Sequence, residues 1–293
     1  MKYEFIFLHR SRFRLQKMCS AFKVSRSGYY VWRRRGSSQR ELENEKLLKL
    51  IKQVHEQSRY IYGSPRITAG LKSMNQSCSK NRVARLMREN EICSKVKKKY
   101  KATTYSRHKF SVAANLLKQN FQAERPDQIW LSDITYLKVQ NQWMYLVAIL
   151  DLFSRQIISW SLSRDLSLDF VLKALKKAVD KRNPAKGLIF HSDRGIQYAS
   201  IEVKAFLKEH GIIQSMSRKG DCYDNAVMEL FFGTFKSEFY SFERFESFQD
   251  AERKIFDYID IFYNYKRIHS SLNFMSPVNF ENQFNQKRSL LCV

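Results

Sequence analysis

Residues 128–163 read QIWLSDITYLKVQNQWMYLVAILDLFSRQIISWSLS. The first segment, 128–139, alternates apolar and polar side chains, the period of a strand with one buried face. Asn141-Gln142 supplies a tight turn, WMYLVAILDLFS (143–154) makes a second strand and QIISWSLS (156–163) a third, so the stretch predicts an antiparallel meander. In such a meander the third strand runs parallel to the first.

Outward from the meander, Leu168, Val171, Leu172, Leu175, Ala178 and Val179 keep helical spacing, and GLIFHSD (187–193) follows as a short buried strand. A helical crossover returns this fourth strand parallel to the first. A helix at about 200–210, a strand over 211–217, the loop SRKGDCYDN and two helices at about 225–240 and 247–266 complete the unit. The sum is an α/β fold, a mixed five-stranded sheet with flanking helices, which is the outline of a ribonuclease H-like domain.

Asp133 is the anomaly in this pattern. Ile129, Leu131, Asp133, Thr135 and Leu137 share one face, so a carboxylate interrupts an apolar row. An unpaired buried charge costs on the order of several kcal/mol unless a cation, a hydrogen-bond network or a raised pKa relieves it. Asp193 ends the fourth strand, which the topology sets beside the first. Glu229 lies on the next long helix, which turns Val227, Leu230, Phe231 and Thr234 toward a core and lines up Glu229, Gly233 and Lys236 on another face. Three convergent carboxylates are hard oxygen ligands suited to Mg²⁺ or Mn²⁺, and two such ions can promote in-line attack on a phosphodiester. Lys236 is then placed to hold a phosphate.

The chain has 293 residues, enough for about two domains at roughly 100–200 residues each. Its 52 Lys and Arg against 28 Asp and Glu leave a charge of +24, which favours polyanions. Residues 1–126 hold 30 basic and 8 acidic side chains, and the remainder 22 and 20, so nearly all the excess lies in the first part. There, Leu15 to Trp32 forms either a small helix-turn-helix or a basic helical hairpin. Leu47, Leu50, Ile51 and Val54 mark a further helix, Ser64-Pro65 an N-cap and first helical residue, and Ser79 the cap of KNRVARLMREN (80–90). Arg82, Arg85 and Arg88 on this last helix, with Lys97, Lys98 and Lys99 beyond it, are the candidate DNA contacts. The expected domains are a helical DNA-binding region over 1–94, a basic linker over 95–126, the catalytic core over 127–280 and a tail over 281–293.

Several classes are excluded. No apolar run approaches the roughly 18–20 residues of a membrane span, no signal peptide is recognisable, and an intracellular, cytoplasmic location follows. Five scattered cysteines without a C-x-x-C pair exclude a structural zinc site or disulfide framework. Of the lesser positions, His191 either contacts a scissile phosphate or braces the Asp193 turn. Asn225 caps the Glu229 helix or meets DNA, Gly220 leaves the loop before it free to close on DNA, and Asp151 either orients the site or, as its place in DLFSR favours, bridges to Arg155. Arg267 and His269, with Tyr263 and Tyr265, make either a DNA-facing patch or core packing.

LSDITYL (131–137), HSDRGIQYAS (191–200), SRKGDCYDNAVMELFFGTFKSE (217–238) and YNYKRIHSSLNFMSPVNF (263–280) together resemble bacterial insertion-sequence transposases with a retroviral-integrase-like core. Thirty-five residues separate Asp193 from Glu229, the spacing of the D,D(35)E group, and Lys236 falls at that group's basic position. The resemblance implies an enzyme that cuts and joins DNA with Asp133, Asp193 and Glu229 as catalytic ligands of Mg²⁺ or Mn²⁺. Its partners would be double-stranded DNA, both the element's terminal inverted repeats and the target, with a homo-oligomer in the synaptic complex and nucleoid association when bound. It also implies a product of the downstream frame, joined to or assisted by an upstream-frame partner. The alternatives are a ribonuclease H-like nuclease that does not join and a non-catalytic repressor or transposase remnant.

Overall fold

A computed structural model describes residues 2–36, 38–96, 112–218 and 222–291. Lys97, Lys98, Lys99 and Gly220 lie outside the described residues. Three short helices, α1 (Lys2–Leu8), α2 (Leu15–Ala21) and α3 (Arg26–Arg34), close on a small core of Ile6, Met18, Cys19 and Tyr29. Ser25 caps α3 by accepting from the Gly28 N–H at 3.0 Å, which satisfies one of the donors a helix start leaves open.

The next three helices are α4 (Gln39–Gln57), α5 (Ser64–Ser73) and α6 (Lys80–Glu89). Ser38 and Glu41 form a reciprocal capping box at the start of α4. Ser79 caps α6 through the Arg82 N–H at 3.2 Å, as its position predicts. Ser64 does not cap α5: extended Gly63 holds that place, and Ser64 is the first helical residue, its carbonyl accepting from the Thr68 hydroxyl at 2.7 Å. Pro65 therefore sits one place later than expected, still within the first turn, where a missing N–H costs no bond. Leu47, Ile51, Val54, Ile67, Leu71, Val83, Leu86 and Met87 form the shared core of these helices. At Gly70 an added Cβ would meet Val54 Cγ1 at 2.9 Å, so a glycine is what lets α5 approach α4 this closely.

The sheet has the predicted topology. Strands β1 (Ile129–Val139), β2 (Gln142–Asp151) and β3 (Ile157–Ser163) form the antiparallel meander. Helix α7 (Asp169–Arg182) crosses over to β4 (Ile189–Ser192), and α8 (Ile196–Ala199) and α9 (Ile201–Glu209) lead to β5 (Ile213–Met216). The strand order is β3-β2-β1-β4-β5, with β1, β4 and β5 parallel. The even-numbered face of β1, including Trp130, packs with Val147, Ile149, Ala174, Phe190 and Val203 beneath α7 and α9. The odd-numbered face, with Ile129, Leu131 and Leu137, packs on α10 (Ala226–Glu238) and α11 (Phe248–Phe256). Helix α11 continues as a π-helical stretch, Asp257–Tyr263. The last helix, α12 (Pro277–Leu291), returns to the sheet edge, where Phe153 meets Phe280 and Phe284 and Arg182 pairs with Glu281.

The apolar residues of α4, α5 and α6 belong to the same continuous core as α10 and α11. Polar links cross the same junction: Arg59 pairs with Asp257 at 2.6 Å, and the Tyr62 hydroxyl accepts from the Ile268 N–H at 2.8 Å. Segment 112–120 also packs inward, with Leu117 buried and the Leu116 N–H donating to Ser215 Oγ at 3.0 Å. Among the described residues no helix is long and apolar enough to cross a membrane.

Candidate active site

Parallel pairing sets Ser132 of β1 opposite Ser192 of β4, so Asp133 and Asp193 occupy the next position along each strand, at the carboxyl end of β4. Open α/β sheets leave their functional crevices at such strand ends. One carboxylate oxygen of Asp133 accepts from the Ile134 N–H at 2.8 Å, and one of Asp193 accepts from the Gly195 N–H at 2.9 Å. Beneath Asp133, the Ser132 and Tyr198 hydroxyls share a buried hydrogen bond of 2.8 Å. Sequence reading missed Tyr198, because nothing local marks a tyrosine whose partner lies 66 residues away.

Glu229 approaches from α10. Val227, Met228, Phe231, Phe232 and Phe235 make the buried stripe of that helix and leave Glu229 exposed, in the first turn, where the helix N-terminus favours a carboxylate. Leu230, expected to face the core, is 62% exposed beside it. The reason is the stripe itself: residues 227, 228, 231, 232 and 235 fill the contact with the sheet and rotate 230 outward. Gly233 and Lys236 follow Glu229 along the same side, and a Cβ at Gly233 would meet no neighbour.

The three acids sense one another. Asp133 is held well above the usual carboxylate range, first by burial and then by the charge of Asp193; Glu229 adds to the shift and Lys236 opposes it. Partial desolvation raises Glu229, and burial lowers Lys236 against the pull of Asp133. Among the described residues no three acid, histidine or cysteine side chains are gathered tightly enough to form a finished metal cage. The donor set nonetheless suits a hard divalent cation: three carboxylates on one edge, with a protonation shift in Asp133 that positive charge would reverse.

The secondary candidates resolve differently. His191 is fully enclosed on β4: its Nε2 lies 2.9 Å from the Asp224 carbonyl and its Nδ1 2.8 Å from Ser215 Oγ. With both nitrogens engaged and no exposed surface, it cannot contact a scissile phosphate in this conformation. Asn225 makes no side-chain cap to α10; its amide points instead at the Ser132 carbonyl, 3.4 Å away, and it is too enclosed for DNA. The buried Asp151 carboxylate accepts from the Ser154 N–H and hydroxyl and the Asp127 N–H, the holding expected of Arg155, and burial pushes its pKa up to about 6. Arg267 and His269 are packing residues: Arg267 is 3% exposed and paired with Glu238, while only Tyr265 of that group faces outward.

On α6, Arg82 pairs with Glu43 at 3.2 Å and donates to Asn44 at 2.9 Å, Arg85 pairs with Glu89 at 3.3 Å, and Arg88 is exposed. Surface pairs of this kind contribute about 1 kcal/mol or less.

Residues 41–100 match the HTH-like domain family, and residues 123–222 and 229–284 match two families described as integrase core domain. The chain is 40% identical to an insertion element IS600 uncharacterized 31 kDa protein of Shigella sonnei, over 92% of this chain and 99% of that one. It is 37% identical to transposase InsF for insertion sequence IS3A of Escherichia coli strain K12, over 97% and 99%. Among solved structures, the HTLV-2 integrase catalytic core domain in complex with magnesium is similar at 16% identity, covering 55% of this chain and 99% of that one, with a TM-score of 0.43.

Proposed function

The chain belongs to the IS3-family insertion-sequence transposases with an integrase core domain, and from that membership we propose that it cuts DNA at the ends of its element and joins the freed 3′ ends to a target. The observation that carries the reading is that Asp133, within β1, and Asp193, just past the end of the adjacent β4, stand side by side, and that the charges of Asp193 and Glu229 both raise the protonation of Asp133.

Asp133, Asp193 and Glu229 would hold the divalent cations, Mg²⁺ or Mn²⁺, two of them if both the attacking and the leaving oxygen are served. When bound, such ions supply charge neutralisation at the phosphodiester and a more acidic attacking water or 3′-hydroxyl. The chain's own residues do the rest. Burial on β1 and the Ile134 N–H fix Asp133, and the Gly195 N–H fixes Asp193. Lys236, on the Glu229 side of α10, supplies a positive charge for the scissile phosphate. The sheet and helices keep these groups in place, so DNA has to be delivered to them.

Delivery falls to the basic residues 1–126, whose α4 to α6 unit is covered, but for its first two residues, by the HTH-like match over 41–100. Arg82, Arg85 and Arg88 are its proposed phosphate contacts. Limits of 1–94 for the DNA-binding region, 95–126 for the linker and 127–280 for the core express this division of labour, with two corrections. Residues 281–291 of the expected tail belong to α12 and are held to the sheet edge by Glu281 and Phe284, and segment 112–120 of the linker packs on the core. Because two ends must be brought to one target, at least two copies are required in the working complex. Binding to terminal-repeat duplex should weaken steeply with salt, by about 0.9 log units per decade for each neutralised phosphate. A fluorescence-anisotropy titration from low to moderate salt measures the slope, and a flat line would remove residues 1–126 as the electrostatic anchor.

The test of function is a product assay with labelled terminal-repeat duplex and an unlabelled target, run with Mg²⁺ and with chelator. We expect 3′-hydroxyl nicks at the repeat ends and joined products, both lost in chelator. Nicks without joined products would make the protein a nuclease, and tight binding without either would make it a non-catalytic DNA-binding protein.

A further inference from the structure

Helix α10 has to carry Glu229 to a carboxylate pair on two other strands, yet the segment that enters it, 222–225, is a single 3₁₀ turn with no side-chain cap. Its anchorage comes from the sheet. The Asp224 carbonyl can only accept, so Nε2 of His191 donates to it across 2.9 Å. A neutral ring then leaves Nδ1 to accept from the Ser215 hydroxyl at 2.8 Å, and Ser215 Oγ in turn accepts from the Leu116 N–H. Ser217 Oγ lies 3.3 Å from the same Nε2. The Asp224 side chain, itself buried, accepts from Asn115 Nδ2 at 2.8 Å and from the Arg218 N–H at 2.7 Å, and pairs with the Arg218 guanidinium at 3.1 Å. The next residue, Asn225, reaches from the other side to the carbonyl of Ser132, immediately before Asp133.

These contacts fall on informative positions. His191 stands two residues before Asp193, and Ser132 one residue before Asp133, so α10 is tied beside both acids. Glu229 lies one helical turn beyond Asn225, on the same side of the helix.

We propose that His191, through its hydrogen bond to the Asp224 carbonyl, is a positioning residue that sets the start of α10 and thereby the placement of Glu229 against Asp133 and Asp193. The assignment rests on the transposase reading for what Glu229 does there, but not for the mechanical link itself. Groups that orient metal-binding side chains from behind typically change metal affinity about 10–100-fold when removed. An imidazole suits this role because it is rigid, and a buried ring that both donates and accepts leaves no polar atom unpaired.

The full-length chain is compared with His191→Phe, which keeps a ring but loses the donor, His191→Gln, whose amide restores one, and Asn225→Ala. Hydrogen exchange by mass spectrometry over residues 222–232 reads the link without metal or activity. Mn²⁺ titration by calorimetry reads its consequence. We expect roughly 10-fold faster exchange at 222–232 in His191→Phe with the strand interior 144–150 unchanged, Mn²⁺ affinity lowered about 10–100-fold, and recovery of most of both in His191→Gln. Unchanged exchange in a folded His191→Phe, or no recovery in His191→Gln, would overturn the proposal. Should His191→Phe not fold, Asn225→Ala decides, because loosening of the same peptide is expected and its absence would be equally fatal. Faster exchange restored by Gln in a protein whose wild type neither binds Mn²⁺ nor cuts DNA would uphold the link and overturn the functional reading instead.

Discussion

Asp133→Asn is expected to abolish strand cleavage and joining and, in the same protein, to raise the unfolding temperature at pH 7. The loss of activity should be at least about 10²–10³-fold, the scale on which removal of one preorganised electrostatic group acts. The gain in stability comes from the same environment. The ionised carboxyl is penalised by burial and by the charges of Asp193 and Glu229, and Lys236 offsets this only in part. Its folded pKa lies above its unfolded value of 3.8, so between the two the native state holds a proton that the unfolded chain has released. Stability therefore falls as pH rises through that window, and the deficit is complete above the folded pKa. Asn carries no charge to penalise and can still accept from the Ile134 N–H. The variant should gain about 1 kcal/mol at pH 7, the ordinary size of such a relief, or roughly 2–4 °C in a domain of this size. Below about pH 3, under the unfolded value of 3.8, the gain should vanish, since the carboxyl is then largely protonated in both states. Thermal melts at about pH 3 and at pH 7 without divalent cation, beside a product gel, make the measurement, and an inactive variant that is also less stable at pH 7 would contradict this account of the site.

The acids are legible in the sequence because each breaks a local rule. Asp133 stands in an apolar strand face, Asp193 closes a buried strand, and Glu229 interrupts the apolar first half of its helix at a spacing that matches a known group. The sheet is legible for a related reason: the alternation over 128–139 and the apolar run after it specify a meander, and the handedness of crossovers leaves few places for the fourth strand. What escapes depends on partners distant in the chain. Asp224 looks like one more loop acid, yet Asn115, 109 residues earlier, donates to it. His191 and Asn225 read equally well as DNA contacts until packing shows both enclosed. Periodicity turns Leu230 inward because it gives the width of a buried stripe but not its phase to within one residue, and the aromatic side chains at 231, 232 and 235 set that phase.

Arg267 illustrates the same limit and carries the largest expected effect on stability. A sequence rich in Lys and Arg invites every arginine to be read as a DNA contact, but this one is 3% exposed and forms a two-point pair with Glu238, each contact 2.7 Å. Arg66 of α5 reaches the same carboxylate at 3.4 Å. Beside the pair, burial and nearby arginine charge push His269 down to about 2, which keeps its ring neutral against the guanidinium. Glu238 is the last residue of α10, so the pair fastens the far end of the helix that carries Glu229, and the separate contact of Arg66 with the same carboxylate links that end to α5. Removing one partner leaves the other charge buried without compensation, so Arg267→Ala and Glu238→Gln should each cost about 3–5 kcal/mol. That corresponds to a fall in unfolding temperature of roughly 10 °C. The double replacement Arg267→Met with Glu238→Leu should cost much less than the sum of the single changes, since apolar side chains of similar volume need no partner. Melting curves of the four proteins at one pH decide the matter. Single changes near neutral, or a fully additive double, would mean that the pair is solvated rather than buried. The expected pattern would instead establish that α10 is held at its far end by a desolvated charge pair, against whose carboxylate Arg66 of α5 also rests.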